Sequence, residues 1–377
     1  MKSLHVALLD LTDRPAPEPS EQTDAPARRV VRHAIGLLLL ACYFPLAVTA
    51  VTSGHLYGLS LSLTTQTRYA VIYGQFSVAT IVFWWLCWLV FTRTLLSRVT
   101  PRQRLLQRGA AVLAGAAGMY SAAPFSIALA QVVGHAVFDC VLAWLALEVC
   151  RSHRVSLRIA LPRTAVERLR DWQISITVLY VCVGVGGGVL SFLLVHLIRW
   201  TGASVPVMKG GQMATLGVDN LGTLAIGLVS TVALEDVMIV ATTTALMTAV
   251  RRPAWQIYTL VCIPELLLHA YLGLPAIGML VFAAGRVWLY RQYGRLLPFM
   301  AAHFTFDLVG GGLMLMQGLP FWYRPALGLL FSLVVSWAEN QLKKAAKSAR
   351  AHAQPPPVTL DGDPPRPTDR PDPVSIQ

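Results

Sequence analysis

The sequence predicts an all-α membrane protein, a polytopic transmembrane helical bundle of about ten spans with both termini in the cytoplasm. Of the 377 residues, 55% are apolar and only 13% are charged, and the mean hydropathy is +0.56, a composition typical of membrane proteins. The charged residues are gathered into short clusters. Between them lie apolar runs long enough to cross the roughly 30 Å hydrocarbon core, which takes about 20 helical residues.

Apolar runs and basic clusters together place the spans. The predicted spans are 33–53, 69–92, 109–125, 127–150, 172–198, 219–249, 255–274, 276–290, 297–316 and 321–338. The stretch 109–150 is too long for one crossing, and Ser121-Ala122-Ala123-Pro124 supplies a turn that divides it. The span 276–290 is short and contains Arg286, so it is expected to be tilted, partly re-entrant or shielded by its neighbours.

The orientation follows from the positions of the basic residues. Alternate loops are basic, in the segments 28–32, 93–108, 151–170, 251–252, 291–295 and 343–350. Since positive residues concentrate on the cytoplasmic side of a membrane, this alternation puts both termini in the cytoplasm. The net charge of +12 is explained by topology, and a nucleic-acid partner is rejected.

Six acidic or histidine residues fall in the interior of predicted spans of the C-terminal half. They are Glu235 and Asp236, Glu265 and His269, and His303 and Asp307. A charge in mid-bilayer costs about 3 kcal/mol on insertion scales, so such residues are candidates for function. The last two pairs have a spacing of four residues, which places both members on one helix face.

A carboxylate beside imidazoles can hold and deprotonate a water, and further imidazole or carboxyl groups can polarise a carbonyl or bind a metal. This set of groups suits peptide hydrolysis. Buried Glu, His and Asp can also carry protons in a transporter, which is the main alternative on the residues alone.

In the order and spacing of these six residues, the sequence resembles the CPBP family. These are the CAAX protease and bacteriocin-processing intramembrane proteases, also called Abi or type II CAAX prenyl endopeptidases. That family carries Glu-Glu-xxx-Arg, then Phe-xxx-His one helix later, then His-xxx-Asn or His-xxx-Asp. The corresponding stretches are Glu235-Asp236-Val237-Met238-Ile239-Val240, Glu265-Leu266-Leu267-Leu268-His269 and His303-Phe304-Thr305-Phe306-Asp307. The resemblance covers about a third of the chain, roughly 219–338.

The resemblance implies roles for these residues. Glu235 would be the general base acting on water together with His269, with Asp236 as its acidic neighbour, while His303 and Asp307 would stabilise the oxyanion or bind a metal. If a divalent metal such as zinc takes part, Glu235, His269 and His303 are the candidate ligands. A water activated by Glu and His needs no metal, and the sequence lacks the HExxH spacing of soluble zinc proteases, so both possibilities stay open.

Three positions depart from the family pattern. The second glutamate is Asp236, the motif arginine is replaced by Val240, and Glu265 stands at the usual phenylalanine. Arg286, Arg252 or another basic group would have to compensate for the missing arginine, or the activity would be reduced.

The resemblance also divides the chain. We expect a disordered cytoplasmic N-terminus at 1–30, transmembrane helices of unassigned role at 31–210, a CPBP-like protease domain at 211–340, and a basic, then Pro-rich, disordered cytoplasmic tail at 341–377. The expected protein is a multi-pass metalloendopeptidase-type hydrolase of a bacterial plasma membrane. Its partners would be the lipid bilayer and a protein or peptide substrate, with its oligomeric state undetermined.

Two alternatives remain at this stage. The first is a catalytically silent relative that binds partners or confers bacteriocin immunity, because the motif arginine is missing. The second is a proton-coupled transporter, although no internal repeat of spans is visible.

Other ionisable residues in apolar segments are interpreted as structural. His135 and Asp139 form a second His-xxx-Asp pair, but an interhelical hydrogen bond accounts for it. Glu148 and His196 lie near span ends, where solvation at the membrane interface is expected.

Overall fold

The computed structural model describes residues 27–56, 65–96, 100–121, 128–157, 165–182, 218–270 and 276–315, with isolated positions at 196, 200 and between 330 and 348. Every regular element in these ranges is a helix, which confirms the predicted all-α class. The helices are α1 (Ala27–Leu56), α2 (Thr65–Leu96), α3 (Pro101–Ser121), α4 (Ala128–Ser152), α5 (Ala165–Cys182), α6 (Leu221–Ala249), α7 (Ala254–Leu268), α8 (Ile277–Tyr293) and α9 (Leu296–Leu315).

Among the described residues, three stretches of helix are long and apolar enough to cross a membrane: Tyr69–Leu96, Leu129–Ser152 and Leu221–Ala249. Large apolar side chains remain exposed on the first of them, with Trp84 at 66% and Trp88 at 70% of their full accessible area. A lipid-facing surface has this character because lipid, unlike water, does not penalise exposed apolar groups.

The predicted division of 109–150 into two helices is confirmed, since α3 ends at Ser121 and α4 begins at Ala128. Most of the predicted span 321–338, the N-terminal segment before residue 27 and the tail beyond residue 348 lie outside the described residues.

The basic cluster between the second and third spans is largely helical. Helix α3 begins at Pro101, eight residues before the predicted span, so Arg102, Arg104 and Arg108 belong to its first turns. Arg108 donates from Nε to Oγ1 of Thr94 over 2.9 Å, which ties the start of α3 to the end of α2. The apolar run marked only the start of the predicted span, and the helix itself begins before it.

Glu148 was expected to be solvated at the membrane interface, and this expectation is wrong, because Glu148 is only 2% exposed. Its carboxylate accepts from Arg93 at 2.8 Å, Arg151 at 2.7 Å and the indole Nε1 of Trp144 at 3.2 Å. A buried carboxylate is tolerated where charged donors satisfy it, so this cluster fastens α2 to α4.

A pair of histidines, His153 and His33, joins the C-terminal end of α4 to α1. His153, just after α4, lies with Nε2 2.9 Å from Nδ1 of His33. Burial lowers the pKa of His153 to about 4, with further lowering from the charges of His33 and Arg29. The pair therefore forms in its neutral state.

Helix α6 is the central helix of the fold. The side chain of Asn220 caps its start, accepting from the backbone N–H of Gly222 at 2.8 Å and Thr223 at 3.0 Å. Its middle third, Val232–Thr242, is a π-helix, and all eleven residues of that segment are buried. π-Helices are rare, occur mostly as single-turn insertions in α-helices and frequently lie at functional sites.

Helices α7, α8 and α9 pack against the π-helical segment, and the turn between α8 and α9 is held by α5. Gly294, with φ of 60°, ends α8 in the left-handed conformation that glycine tolerates best, and α9 starts two residues later. Arg295 in this turn pairs with Asp171 of α5, with Nη2 2.7 Å from Oδ2. Ser175 donates to the carbonyl of Pro298 at 3.0 Å, so α5 holds the start of α9 in place.

Candidate functional site

The acidic pair Glu235 and Asp236 lies inside the π-helical segment of α6. Asp236 is fully buried and Glu235 is 8% exposed. In a π-helix each hydrogen bond spans five residues, so there are more residues per turn than in an α-helix and consecutive side chains diverge less around the axis. The wide turn accounts for how two adjacent carboxylates reach one guanidinium group.

That guanidinium belongs to Arg286 of α8, which is 1% exposed. Its Nη1 lies 2.8 Å from Oε2 of Glu235 and 3.2 Å from Oδ1 of Asp236. Its Nη2 lies 2.5 Å from Oε1 of Glu265 in α7. The Glu265 contact lacks hydrogen-bond geometry, so it is an ion pair only.

The aromatic ring of Phe282, one helical turn before Arg286, lies beneath the guanidinium. The guanidinium carbon is 4.6 Å from the ring centroid, a cation–π distance. The same ring meets the imidazole of His303 edge-on, with 5.6 Å between centroids. Arg286 is thus held by three carboxylates and an aromatic face, which explains how a short span tolerates an arginine.

His269 lies at the C-terminal end of α7, where the helix stops at Leu268, six residues before the predicted end of this span. Its Nδ1 lies 2.8 Å from the carbonyl oxygen of Glu265. Because a carbonyl only accepts, Nδ1 carries the proton and Nε2 is left as the acceptor in the neutral ring. Nε2 lies 3.9 Å from Oε1 of Glu235.

Oε1 of Glu235 and Nε2 of His269 face each other across a gap too wide for a direct hydrogen bond. Arg286 binds the other oxygen of Glu235. Two acceptors at this separation can share one water, which would donate one hydrogen to each. This arrangement can polarise a water for attack.

His303 of α9 is 2% exposed and makes contacts through both ring nitrogens. Nδ1 lies 3.0 Å from both oxygens of Asp236, and Nε2 lies 3.2 Å from Oδ2 of Asp307. Carboxylates accept, so the ring donates on both sides when both acids are ionised. The two histidines therefore differ: His269 presents an acceptor and His303 presents donors.

The cluster is not equally accessible on all sides. The side chains of Glu265 and Asp236 are fully buried, whereas those of Glu235, His269 and Asp307 are 11%, 13% and 28% exposed. A substrate group can therefore reach the side formed by Glu235, His269 and Asp307, while the salt bridges to Arg286 lie behind it.

The structure brings all six of the predicted ionisable residues into one cluster, although they come from three helices. Sequence reasoning assigned no role to Glu265 and named Arg286 only as one possible substitute for the motif arginine. Counting charges could have identified both. Four acidic residues lie inside three predicted spans of the C-terminal half, and buried carboxylates need a buried positive charge to balance them. Arg286 lies inside the predicted span 276–290 of the same half.

The residues do not fit a metal ion. Within the described part of the chain, no group of three His, Cys, Asp or Glu side chains is arranged to hold one. Two of the three candidate ligands are otherwise engaged, since Arg286 binds Glu235 and both nitrogens of His303 face carboxylates.

His135 and Asp139 lie on α4 and do not join this cluster. Asp139 accepts a hydrogen bond from Ser230 of α6. This contact links two helices, as the structural interpretation of that motif expects.

Comparisons of the chain with protein-family models, with curated proteins and with solved structures found no match.

Proposed function

We propose that this chain is an intramembrane endopeptidase of the CPBP type that hydrolyses a peptide bond of a protein or peptide substrate at or in the membrane. In this proposal it crosses the bilayer about ten times and has both termini in the cytoplasm. The observation that carries the proposal is the pair of facing acceptors, Oε1 of Glu235 and Nε2 of His269, 3.9 Å apart at the accessible side of a buried cluster.

The first step is attack by water. A water held between Glu235 and His269 donates to both, and one of them removes a proton as the oxygen attacks the carbonyl carbon. The carbonyl π bond breaks, which leaves a tetrahedral oxyanion. When the C–N bond then breaks, the same acid–base pair returns the proton to the leaving amine, so a carboxylic acid and an amine are formed.

His303 is the proposed donor to the oxyanion. Asp236 fixes its Nδ1 side, so Asp236 is a positioning residue, and Nε2 faces the more exposed Asp307. In the transition state the oxyanion takes the place of Asp307 as the acceptor of the Nε2–H, which is an effective donor because the site is shielded from water.

Arg286 takes the place of the arginine that the family motif carries on the same helix as its glutamates. It reaches Glu235 and Asp236 from α8, 51 and 50 residues further along the chain. Its guanidinium binds one carboxylate oxygen of Glu235, so that the other faces His269.

The test uses purified full-length protein reconstituted in vesicles with a library of membrane-anchored peptides, and mass spectrometry counts new amino termini. Glu235→Gln and His269→Ala should each lower cleavage at least 100-fold, the range expected for loss of a general base. Asp139→Asn is the matched control, a buried carboxyl outside the cluster, and should cleave like the wild type. Equal cleavage by Glu235→Gln would refute the proposal.

A catalytically silent relative is the second candidate, favoured by the direct ion pair between Glu235 and Arg286. It predicts no new termini with the wild-type protein or with the Val240→Arg variant, which restores the motif arginine. Cleavage by the wild type that is lost in Glu235→Gln would exclude it.

A further inference from the structure

An open apolar groove of about 470 Å³ runs between α3, α4 and α6, and no residue of the candidate catalytic cluster lines it. Helix α4 supplies most of its wall, with Val133, Ala136, Val137, Cys140, Val141 and Trp144. These positions follow the three- and four-residue spacing of one helix face. At 1.5 Å per residue the stripe from 133 to 144 is about 16 Å long, roughly half the hydrocarbon thickness.

The groove opens outward rather than into the helical bundle. Val133 and Val229, which stand on opposite walls, are 40% and 44% exposed, and Cys140 between them is exposed as well. Helices α4 and α6 are both apolar and long enough to span a membrane. The groove therefore faces the region of the lipid tails.

Trp144 connects the groove to the charged end of these helices. It lines the groove, and its indole N–H donates to Glu148 at 3.2 Å. The same carboxylate binds Arg93 and Arg151. One carboxylate neutralises only one of the two arginines, so this rim keeps a positive charge, and the side chain of Arg151 is 56% exposed.

The excess of positive charge extends over the end of α2, the start of α3 and the end of α4. The described residues of 93–108 and 148–157 include six arginines against the single acid Glu148: Arg93, Arg102, Arg104, Arg108, Arg151 and Arg154. Arg108 lies six residues before Ala114 of the groove wall, about 9 Å along α3. An apolar groove with an arginine-rich rim matches a lipid tail joined to a negative headgroup.

We propose that this groove binds an anionic phospholipid, with one acyl chain along α4 and the headgroup phosphate on Arg108, Arg151 and Arg93. Guanidinium groups bind phosphate oxygens through paired N–H donors. Basic pockets between transmembrane helices recognise anionic headgroups in this way. The alternative occupant of such a groove is a helix from a second copy of the chain, which would not require the basic rim.

The test uses the full-length protein in mixed vesicles that contain phosphatidylglycerol or phosphatidylcholine analogues with a photoreactive group in the acyl chain. Cross-linked peptides are mapped by mass spectrometry. We expect adducts on the groove walls of α4 and α6, with the phosphatidylglycerol analogue preferred. Val229→Trp fills the groove and should remove the adducts. Val281→Trp, at an exposed position of α8, is the matched control and should keep them.

The headgroup is tested by the double variant Arg108→Gln/Arg151→Gln. At about fivefold per arginine, the preference for phosphatidylglycerol should fall about 25-fold. Arg291→Gln, an exposed arginine at the end of α8, should leave it unchanged. Monodisperse elution of each variant checks folding.

Three results would overturn the proposal. Equal labelling by both analogues would show tail binding without headgroup recognition. A preference that survives both sets of groove variants would place the lipid elsewhere. Groove peptides protected by a cross-linked second copy would show a dimer interface instead.

Discussion

Replacing Arg286 with methionine tests the charge balance of the cluster. The guanidinium is 1% exposed and lies within 3.2 Å of oxygens from Glu235, Asp236 and Glu265. Methionine keeps much of the volume and removes the charge, which leaves three carboxylates without a counter-ion. Removing one partner of a buried ion pair costs about 3–5 kcal/mol, and we expect the free energy of unfolding to fall by that amount.

The assay is unfolding in mixed micelles of increasing denaturing detergent, followed by tryptophan fluorescence. Arg286→Lys should lower the free energy of unfolding less than Arg286→Met, because an ammonium group keeps the positive charge. It should still be less stable than the wild type, because an ammonium group cannot reach three carboxylates as a planar guanidinium does. Arg295→Met is the matched control. That arginine pairs with the carboxylate of Asp171 and is 18% exposed, so it is less completely removed from solvent. We therefore expect a smaller loss.

A double-mutant cycle with Glu265→Gln isolates the coupling. In the Arg286→Met background, removing one of three uncompensated charges should recover part of the lost stability, whereas in the wild type the same change should give no gain. A loss below about 1 kcal/mol for Arg286→Met, or the same effect of Glu265→Gln in both backgrounds, would refute the charge-balance reasoning.

Three further outcomes follow. The pKa of His153 is lowered to about 4, below its unfolded value of about 6.5, so its contribution to stability is present above pH 6.5 and lost as the pH falls toward 4. Unfolding measured from pH 7.5 to 4 should show this loss, and His153→Gln should weaken it. Gly115→Ala places a Cβ 2.5 Å from the ring of Phe83 and should cost about 1–3 kcal/mol. Gly109→Ala meets nothing within 4 Å and should cost nothing. Chelation should leave cleavage unchanged, measured alongside the metal content of the purified protein.

The fold class and most helix positions could be predicted because they depend on apolar runs and on the periodicity of single helices. The division of 109–150 into two helices followed from membrane thickness together with the turn signal at Ser121–Pro124. Helix ends were less predictable, since α3 begins eight residues before its apolar run and α7 ends before its predicted limit. Outside the hydrocarbon core, hydropathy no longer marks where a helix stops.

The candidate site was predictable in its residues but not in its contacts. Spacing places His303 and Asp307 on one face, whereas the contact between His303 and Asp236 depends on how α6 and α9 pack. The π-helical turn left no recognisable sequence signal. Glu148 was misinterpreted because its position near a span end suggested solvation, while its partner Arg93 lies 55 residues away in sequence.

The π-helical segment also determines from which direction a substrate can come. Irregular backbone at membrane depth is tolerated where protein, not lipid, covers it, and all eleven residues of Val232–Thr242 are buried. A chain diffusing in the bilayer therefore cannot reach Glu235 through the α6 surface itself. In the proposed protease, lateral entry leads past His269 and Asp307, so the size of the residues flanking a scissile bond would be selected at that entrance.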